Sequence, residues 1–93
     1  MTLGATYRLH KQWPEAIEQF QLAIKENSSE GNAYHNIAIC ADNYYKDKKA
    51  VVKLYEQFIS KFRVSSKYRY SIKLAEERVK ILNREIFMDK DGN

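Results

Sequence analysis

The feature of this sequence that most constrains its fold is an internal repeat with a period of 34 residues. Small and apolar residues in the first third of the chain recur at that distance further along. The aligned pairs are Leu3 with Ile37, Gly4 with Ala38, Ala16 with Ala50, Ile17 with Val51, Phe20 with Leu54, Ile24 with Phe58 and, one period on, Tyr34 with Tyr68. A period of this length indicates stacked supersecondary units that bury their apolar faces against one another.

The spacing of apolar residues within each unit predicts helices, because residues three and four apart share one helical face. With three glycines and one proline, the chain also carries few turn signals. We expect helices over about 1–11, from Pro14 to a break at 27–32, over about 30–44, over about 48–62 and from about 65 to 88. The predicted inward residues are Ile17, Phe20, Ala23 and Ile24 in the second helix, Tyr34, Ile37, Ala38 and Ala41 in the third, and Ala50, Val51, Leu54 and Phe58 in the fourth.

Polar residues before these helices are candidate N-caps. Ser28 or Ser29 is expected to cap the third helix, Asp47 the fourth, and Ser65 or Ser66 the last. The last helix is the longest, and it carries a narrow apolar seam formed by Tyr68, Ile72, Ala75, Val79, Leu82 and Ile86. A second row, Leu74, Ile81 and Met88, is either the edge of the core or a surface for a partner.

The pattern resembles the tetratricopeptide repeat over about residues 1–62. The residues that carry the resemblance are Leu3, Gly4, Tyr7, Ala16, Phe20 and Ala23 in one unit, and Tyr34, Ile37, Ala38, Ala41, Ala50 and Leu54 in a looser copy. The resemblance implies one all-α domain, a right-handed solenoid at the C-terminal end of an array. It would comprise a first repeat at 1–30, clipped at its N-terminus, a second at 31–64, a capping helix at 65–88 and a frayed tail at 89–93. Gly4 and Ala38 would then let the paired helix approach closely.

In the tetratricopeptide family the first helices of successive repeats line a concave groove that holds an extended peptide or a helix of a partner protein. The groove positions, carried over, are Ala5, Arg8, Leu9, Asn32, His35, Ile39, Asp42, Asn43, Arg69, Lys73 and Glu76. Arg8, His35, Arg69 and Lys73 would favour acidic ligands. The family's clamp for a terminal carboxylate is not expected, because Ala5 replaces one of its two asparagines and Ser66 and Tyr70 replace its basic residues.

No catalytic or metal-binding constellation emerges from the sequence, so we expect a binding protein with no cofactor and no metal. His10 and His35 lie on different predicted helices, and no phosphate-binding glycine loop is present. Asp42 and the Glu76–Glu77 pair are expected to face solvent. The stretch DKDGN at 89–93 matches the opening of a calcium loop but stops at its fifth position, which favours a polar terminus. Cys40 lies among apolar residues and is expected to be a buried, inert thiol.

The net charge of +4 is unevenly distributed, since residues 1–45 carry three cations against five acidic residues and residues 46–93 carry thirteen against seven. This basic half, with its nearby tyrosines, leaves a nucleic-acid-binding alternative open. Glu56, Glu76, Glu77 and Glu85 interrupt the cations, however, which favours a solvated basic surface.

A second alternative is a structural segment that self-associates through Leu74, Ile81 and Met88 or through the start of the first helix. No membrane span or signal peptide is recognised, and these features with the single cysteine favour the cytoplasm.

Overall fold

The computed structural model describes the backbone of residues 2–91 and the side chains of residues 2–89. The helices are α1 at Leu3–Leu9, α2 at Trp13–Glu26, α3 at Gly31–Tyr44, α4 at Lys48–Phe62 and α5 at Arg69–Asp91, which follows a 3₁₀ turn at Ser66–Tyr68. No strand occurs in residues 2–91, so the all-α prediction is confirmed. Helix α5 continues past its predicted end at residue 88, and the rest of the DKDGN stretch lies outside the described residues.

Two of the four corresponding helix boundaries recur at a distance of 35 residues, which is nearly the period of the sequence. Helix α2 begins at Trp13 and α4 begins 35 residues later at Lys48, while α1 ends at Leu9 and α3 ends 35 residues later at Tyr44. The first helices of the two units differ in length, because α1 has 7 residues and α3 has 14. The turns between the paired helices are therefore spaced by nearly one period, whereas the first helices of the two pairs differ in length.

Each helix packs mainly against its neighbours in the chain, α1 on α2, α2 on α3, α3 on α4 and α4 on α5. The molecule measures 42 × 31 × 19 Å, and its shortest dimension corresponds to about two helix diameters. One continuous apolar cluster runs from Ala16 in α2 to Leu82 in α5. The fold is thus two helices thick, and its core extends along the chain order.

Gly4 lies at a close contact between α1 and α2. A Cβ atom at this position would lie 3.0 Å from Cε1 of the Phe20 ring, a distance that side chains rarely adopt. The expected close approach of the paired helix at Gly4 is therefore confirmed, and Phe20 is the side chain that uses the space. Gly4 consequently gains packing that offsets the low helix propensity of glycine.

Gly31 has a comparable role that the sequence did not reveal. The Tyr68 ring covers this glycine, and a Cβ atom there would lie 2.5 Å from the ring's Cζ atom. The Gly31 N–H donates a hydrogen bond of 3.1 Å to the Tyr68 hydroxyl. The rings of Phe58 and Phe62 pack against the same tyrosine, with centroids at 6.2 and 5.1 Å. The start of α5 is thereby attached to the start of α3 across the end of α4.

The capping predictions have mixed outcomes. The Asp47 carboxylate accepts hydrogen bonds from the N–H groups of Lys49 and Ala50, at 3.1 and 3.3 Å, and its predicted role is confirmed. The serine caps of α3 are wrong, because Glu30 occupies the N-cap position and makes no side-chain capping bond. The reason is local, since Asn27 Oδ1 accepts the Ser29 N–H at 3.0 Å and directs the chain into a turn before the helix. Ser65 occupies the cap position of the 3₁₀ turn but likewise makes no side-chain bond.

The buried face of α4 is wider than the sequence predicts. Val51 and Phe58 are buried as expected, whereas Ala50 and Leu54 are only half-buried. The further buried residues of α4 are Val52, Tyr55, Ile59 and Phe62. Because α4 packs on α3 and on α5, it needs two apolar stripes rather than the single one that a 34-residue alignment reveals.

Cys40 is fully buried, as predicted, and burial raises the pKa of its thiol. A raised thiol pKa keeps the side chain protonated at neutral pH. Cys40 therefore acts as a small apolar residue of the core.

Candidate functional site

A cleft between α1 and α3 brings together five of the residues predicted to line the groove. Its volume is about 400 Å³, and it is open to solvent along one side. The lining residues are Ala5, Arg8 and Leu9 from α1, Lys11 and Trp13 from the turn into α2, and Ile39 and Asn43 from α3. We refer to this feature as the α1–α3 cleft.

The α1–α3 cleft combines positive charge with apolar surface. Arg8 and Lys11 line it, and no carboxylate does among the residues that the structure describes. Leu9 is 67% exposed and Trp13 is half-buried, so apolar side chains remain accessible to a ligand. A ligand that matches this lining has a carboxylate next to an apolar side chain.

Lys11 reaches the cleft from a backbone conformation that favours glycine. Its φ angle is 60°, and its N–H donates to the Arg8 carbonyl at 3.0 Å, at the point where α1 ends. Glycine is the usual residue at such a helix end, and another residue there costs on the order of 1 kcal/mol. The lysine side chain is therefore present at a small cost in stability.

Arg8 is held in place across the two helices. Its guanidinium donates a hydrogen bond to Oδ1 of Asn36 in α3. The Asn36 amide nitrogen in turn donates to the Asn32 carbonyl at 2.9 Å, which orients the amide. A guanidinium has five N–H donors and this bond uses one of them, so the group retains donors for a ligand carboxylate. Asn36 is not among the predicted groove residues, and no local pattern in the sequence indicates this contact.

His35 packs on α4 rather than adding a charge to the cleft. Its ring lies parallel to that of Phe58 at a centroid distance of 4.8 Å and meets the Tyr55 ring edge-on at 6.3 Å. Burial, and then the positive charge of Arg8, lower the pKa of His35 below its usual 6.5. The imidazole is therefore neutral at neutral pH, so His35 does not belong to the cations that would favour an acidic ligand.

The sequence predicts that Asp42 faces solvent, and this prediction is wrong. The Asp42 carboxylate, on α3, accepts hydrogen bonds from side chains of α4 and α5. The Tyr55 hydroxyl donates to Oδ2 at 2.9 Å, and Arg78 donates from Nε to Oδ2 at 2.7 Å and from Nη2 to Oδ1 at 2.9 Å. The bond to Asp42 raises the pKa of Arg78, and burial followed by the Asp42 charge raises that of Tyr55. Asp42 therefore connects α3, α4 and α5, and its partners lie 13 and 36 residues away, beyond any local pattern.

The three predicted groove residues of the last helix lie elsewhere. Arg69, Lys73 and Glu76 line a shallow depression of about 350 Å³ beside the turn from α4 to α5, and no described residue of α1 or α3 lines it. The cause is the orientation of α5, which buries Tyr68, Ile72 and Ala75 against its neighbours. A groove continuous across all three helices is thus not formed from the predicted residues.

A second cleft, of about 480 Å³, lies at the N-terminal end of α1 between α2 and α3. Gly4, Phe20 and Ala33 contribute apolar surface to it, and the predicted groove residue Asn32 lies at its edge. In the second helix pair, aromatic side chains of α3 pack on the end of α4, with Tyr34 and Phe62 centroids 5.4 Å apart. The two pairs therefore differ most at this end.

Comparison of the chain with protein-family models, with curated proteins and with solved structures found no match. Within the described residues, no helix is both long and apolar enough to cross a membrane, and no group of three potential metal ligands is found. Interpretation of the site consequently rests on the geometry of the two helix pairs.

Proposed function

We propose that this chain is a tetratricopeptide-type helical repeat module that binds a segment of a partner protein, without catalysing a reaction. Three features support the proposal. The end of the first helix and the start of the second recur at 35 residues in the next pair, Gly4 allows the close helix contact that the repeat requires, and five groove positions of the family share one cleft. Modules of this kind present a rigid surface on packed helices and use it for recognition.

The ligand that best fits the α1–α3 cleft is a peptide segment with an acidic residue next to an apolar one. The single observation that carries this choice is Arg8, held between α1 and α3 by Asn36 at a cleft that also receives Lys11. Leu9 and Trp13 supply the apolar contact. Preorganisation of the guanidinium reduces the entropy lost on binding, which favours affinity.

The experiment is selection of binding peptides from a random displayed library, followed by affinity measurement on the purified chain. We expect the selected peptides to contain Asp or Glu beside apolar residues. Arg8→Glu should weaken their binding by about tenfold or more, because it replaces the ion pair with a repulsion. Lys25→Glu makes the same type of charge change at an exposed site on α2 and should leave the affinity unchanged.

An Arg69→Glu/Lys73→Glu variant identifies the face that is used. If the selected peptides bind the Arg8→Glu chain normally and fail to bind this double variant, the depression beside α5 is the binding surface and the assignment to the α1–α3 cleft is wrong. If the peptides have no acidic residue and bind all variants equally, the proposed ligand chemistry is wrong.

The nucleic-acid alternative receives less support from the structure. Several cations of the basic half contact side chains of the chain itself. Arg78 binds Asp42, and Lys48 lies 2.9 Å from Asp89 and 3.7 Å from Glu85. Lys61 and Lys67 lie over the rings of Tyr34 and Tyr68, with Nζ at 5.7 and 5.4 Å from the centroids. These contacts reduce the charge and the aromatic surface that a nucleic acid could use, so we favour protein binding.

A further inference from the structure

Helix α5 carries an exposed apolar stripe on a face that its buried seam does not use. Leu74, Ile81 and Met88 are 42%, 44% and 62% exposed. They follow one another at intervals of seven residues, so they lie on nearly the same side of the helix, with a drift of about 20° per interval. Of the two alternatives that the sequence leaves open, a core edge and a partner surface, this exposure favours the second.

Two exposed charges of opposite sign alternate with the apolar residues. Glu77 lies between Leu74 and Ile81, and Arg84 lies between Ile81 and Met88, again seven residues apart. Neither Glu77 nor Arg84 makes a hydrogen bond or an ion pair with another described residue. Along the helix the stripe therefore reads apolar, acidic, apolar, basic, apolar. When the stripe is read in the opposite direction, the acidic and basic positions exchange. The stripe is therefore complementary in charge to a second, antiparallel copy of itself.

We propose that the stripe binds a second copy of this chain, with the two α5 helices antiparallel and a two-fold axis at Ile81. Ile81 then packs on Ile81 of the partner subunit, and Leu74 packs near Met88 of the partner subunit. Glu77 faces Arg84 of the partner subunit, and the same contacts occur in reverse, as a two-fold interface requires. The interface is separate from the α1–α3 cleft.

The charges select this orientation. In a parallel pair Glu77 would face Glu77 of the partner subunit, and like charges in contact are unfavourable. In the antiparallel pair Glu77 lies four residues before Ile81 and Arg84 lies three after it, so the two charges are offset by one residue, or about 1.5 Å along the axis. The long arginine side chain spans that offset easily, and two reciprocal ion pairs form.

The rest of α5 leaves this face free for a partner. The seam containing Ile72, Ala75 and Leu82 is buried in the core of the molecule. Arg78 extends from the side of the stripe to Asp42 on α3, and Lys48 of α4 contacts Glu85 and Asp89 near the end of α5. A single pair of helices is at the small end of interface sizes, so the dimer should be weak and dependent on concentration.

Sedimentation equilibrium over a micromolar to millimolar concentration series tests the proposal on the whole chain. We expect wild-type protein to form a reversible dimer. Ile81→Lys places two like charges at the axis and should raise the dimer dissociation constant at least tenfold. Phe87→Lys makes a similar change at a residue that is 64% exposed but lies about 240° around the helix from Ile81, so this variant should dimerise normally.

Charge reversal tests the orientation. Glu77→Arg and Arg84→Glu should each weaken the dimer, and the double variant should restore it. An equimolar mixture of the two single variants should also associate. One chain then carries two positive charges at positions 77 and 84, and the other carries two negative charges there. A circular dichroism melt on each variant verifies that the monomer is folded.

Three results would overturn the proposal. The first is a wild-type monomer at every concentration, and the second is a dimer that Ile81→Lys leaves intact. The third is a Glu77→Arg/Arg84→Glu double variant that dimerises as weakly as the two single variants. A dimer lost in Leu9→Lys but retained in Ile81→Lys would assign self-association to the α1–α3 cleft instead. The Arg8→Glu variant should dimerise like wild type, which separates this test from the test of peptide binding.

Discussion

The first helix pair, α1 with α2, and the second pair, α3 with α4, have related sequences but are packed to different degrees. At matched positions Ile24 is half-buried and Phe58 is fully buried, whereas Ala16 and Phe20 are buried and their matches Ala50 and Leu54 are half-buried. Leu9 and Leu22 of the first pair are exposed. The second pair has neighbours on both sides, α2 and α5, while α1 packs mainly on α2. More residues are buried in the second pair than in the first, although individual matched positions differ in both directions, so burial depends on the neighbouring helices as well as on the repeat pattern.

The second pair also holds most of an aromatic cluster, formed by its residues Tyr34, His35, Phe58 and Phe62 together with Tyr68 of the following 3₁₀ turn. The first pair has an open cleft of about 480 Å³ at the N-terminal end of α1 instead. We infer that the second pair supplies most of the stability and that the first, which is less buried, supplies accessible surface for binding. Such a division is common, because binding regions are drawn from the less stable parts of a fold.

The largest expected effect comes from shortening the matched core residues of the two pairs. Phe58→Ala should lower the free energy of unfolding by about 3–5 kcal/mol, because it leaves a cavity at a site with no exposure. Ile24→Ala should cost only about 1–2 kcal/mol, because its half-buried side chain loses less contact. Urea denaturation followed by circular dichroism measures both values. Equal losses of stability in the two variants would contradict the difference in packing. If Phe58→Ala does not fold, Phe58→Leu replaces it, with an expected loss of about 1 kcal/mol in the free energy of unfolding.

Replacing the two close-contact glycines, Gly4 and Gly31, with alanine should change the free energy of unfolding less than the core truncations do. The change should again differ between the two helix pairs. In Gly31→Ala the new methyl group meets the Tyr68 ring at 2.5 Å, and Phe58 and Phe62 restrict the ring's movement. We expect a loss of about 1–3 kcal/mol from overpacking.

Gly4→Ala should change the stability by less than about 0.5 kcal/mol. Its methyl group meets the Phe20 ring at 3.0 Å, and a small shift of that ring relieves the contact. The remaining strain is offset by the better helix propensity of alanine, worth about 1 kcal/mol. Thermal melts of the two variants provide the comparison, and a larger loss at Gly4 than at Gly31 would show that the first pair is the more rigid one.

The smallest expected effect is a pH dependence at the contact between the two pairs. Burial against the α4 aromatic rings, and then the charge of Arg8, lower the pKa of His35 below 6.5 in the folded state. Below pH 6.5 the unfolded chain binds a proton that the folded chain does not, so the free energy of unfolding should decrease as the pH falls from about 6.5 to the lowered pKa.

Urea titrations at several pH values measure this slope for wild type and for His35→Gln, in which the slope should be reduced. Adding Arg8→Gln to the wild-type chain should reduce it partly, because the positive charge that opposes protonation is then absent. A slope that is unchanged in His35→Gln would assign the pH dependence to other groups.

Much of the local structure could be predicted from the sequence. The all-α class, the approximate helix ranges, the Asp47 cap and the close contact at Gly4 agree with the structure. In the candidate site, Ala5, Arg8, Leu9, Ile39 and Asn43 were found in one cleft, whereas the remaining predicted residues, Asn32, His35, Asp42, Arg69, Lys73 and Glu76, were not. Of these, His35 and Asp42 contact side chains of other helices, and the α5 residues line a separate depression, so their placement depends on contacts between helices that no local pattern encodes.

The sequence by itself determined the features that depend on residues within about one helical turn of each other. Helical periodicity and the Asp47 cap are of this kind, because their energies come from neighbours two to four residues away. Only the tertiary structure decided that Asp42 binds Arg78, that Gly31 lies beneath Tyr68 and which face α5 leaves exposed. Those outcomes join groups up to 37 residues apart, and their energies depend on how whole helices pack, which no local pattern encodes.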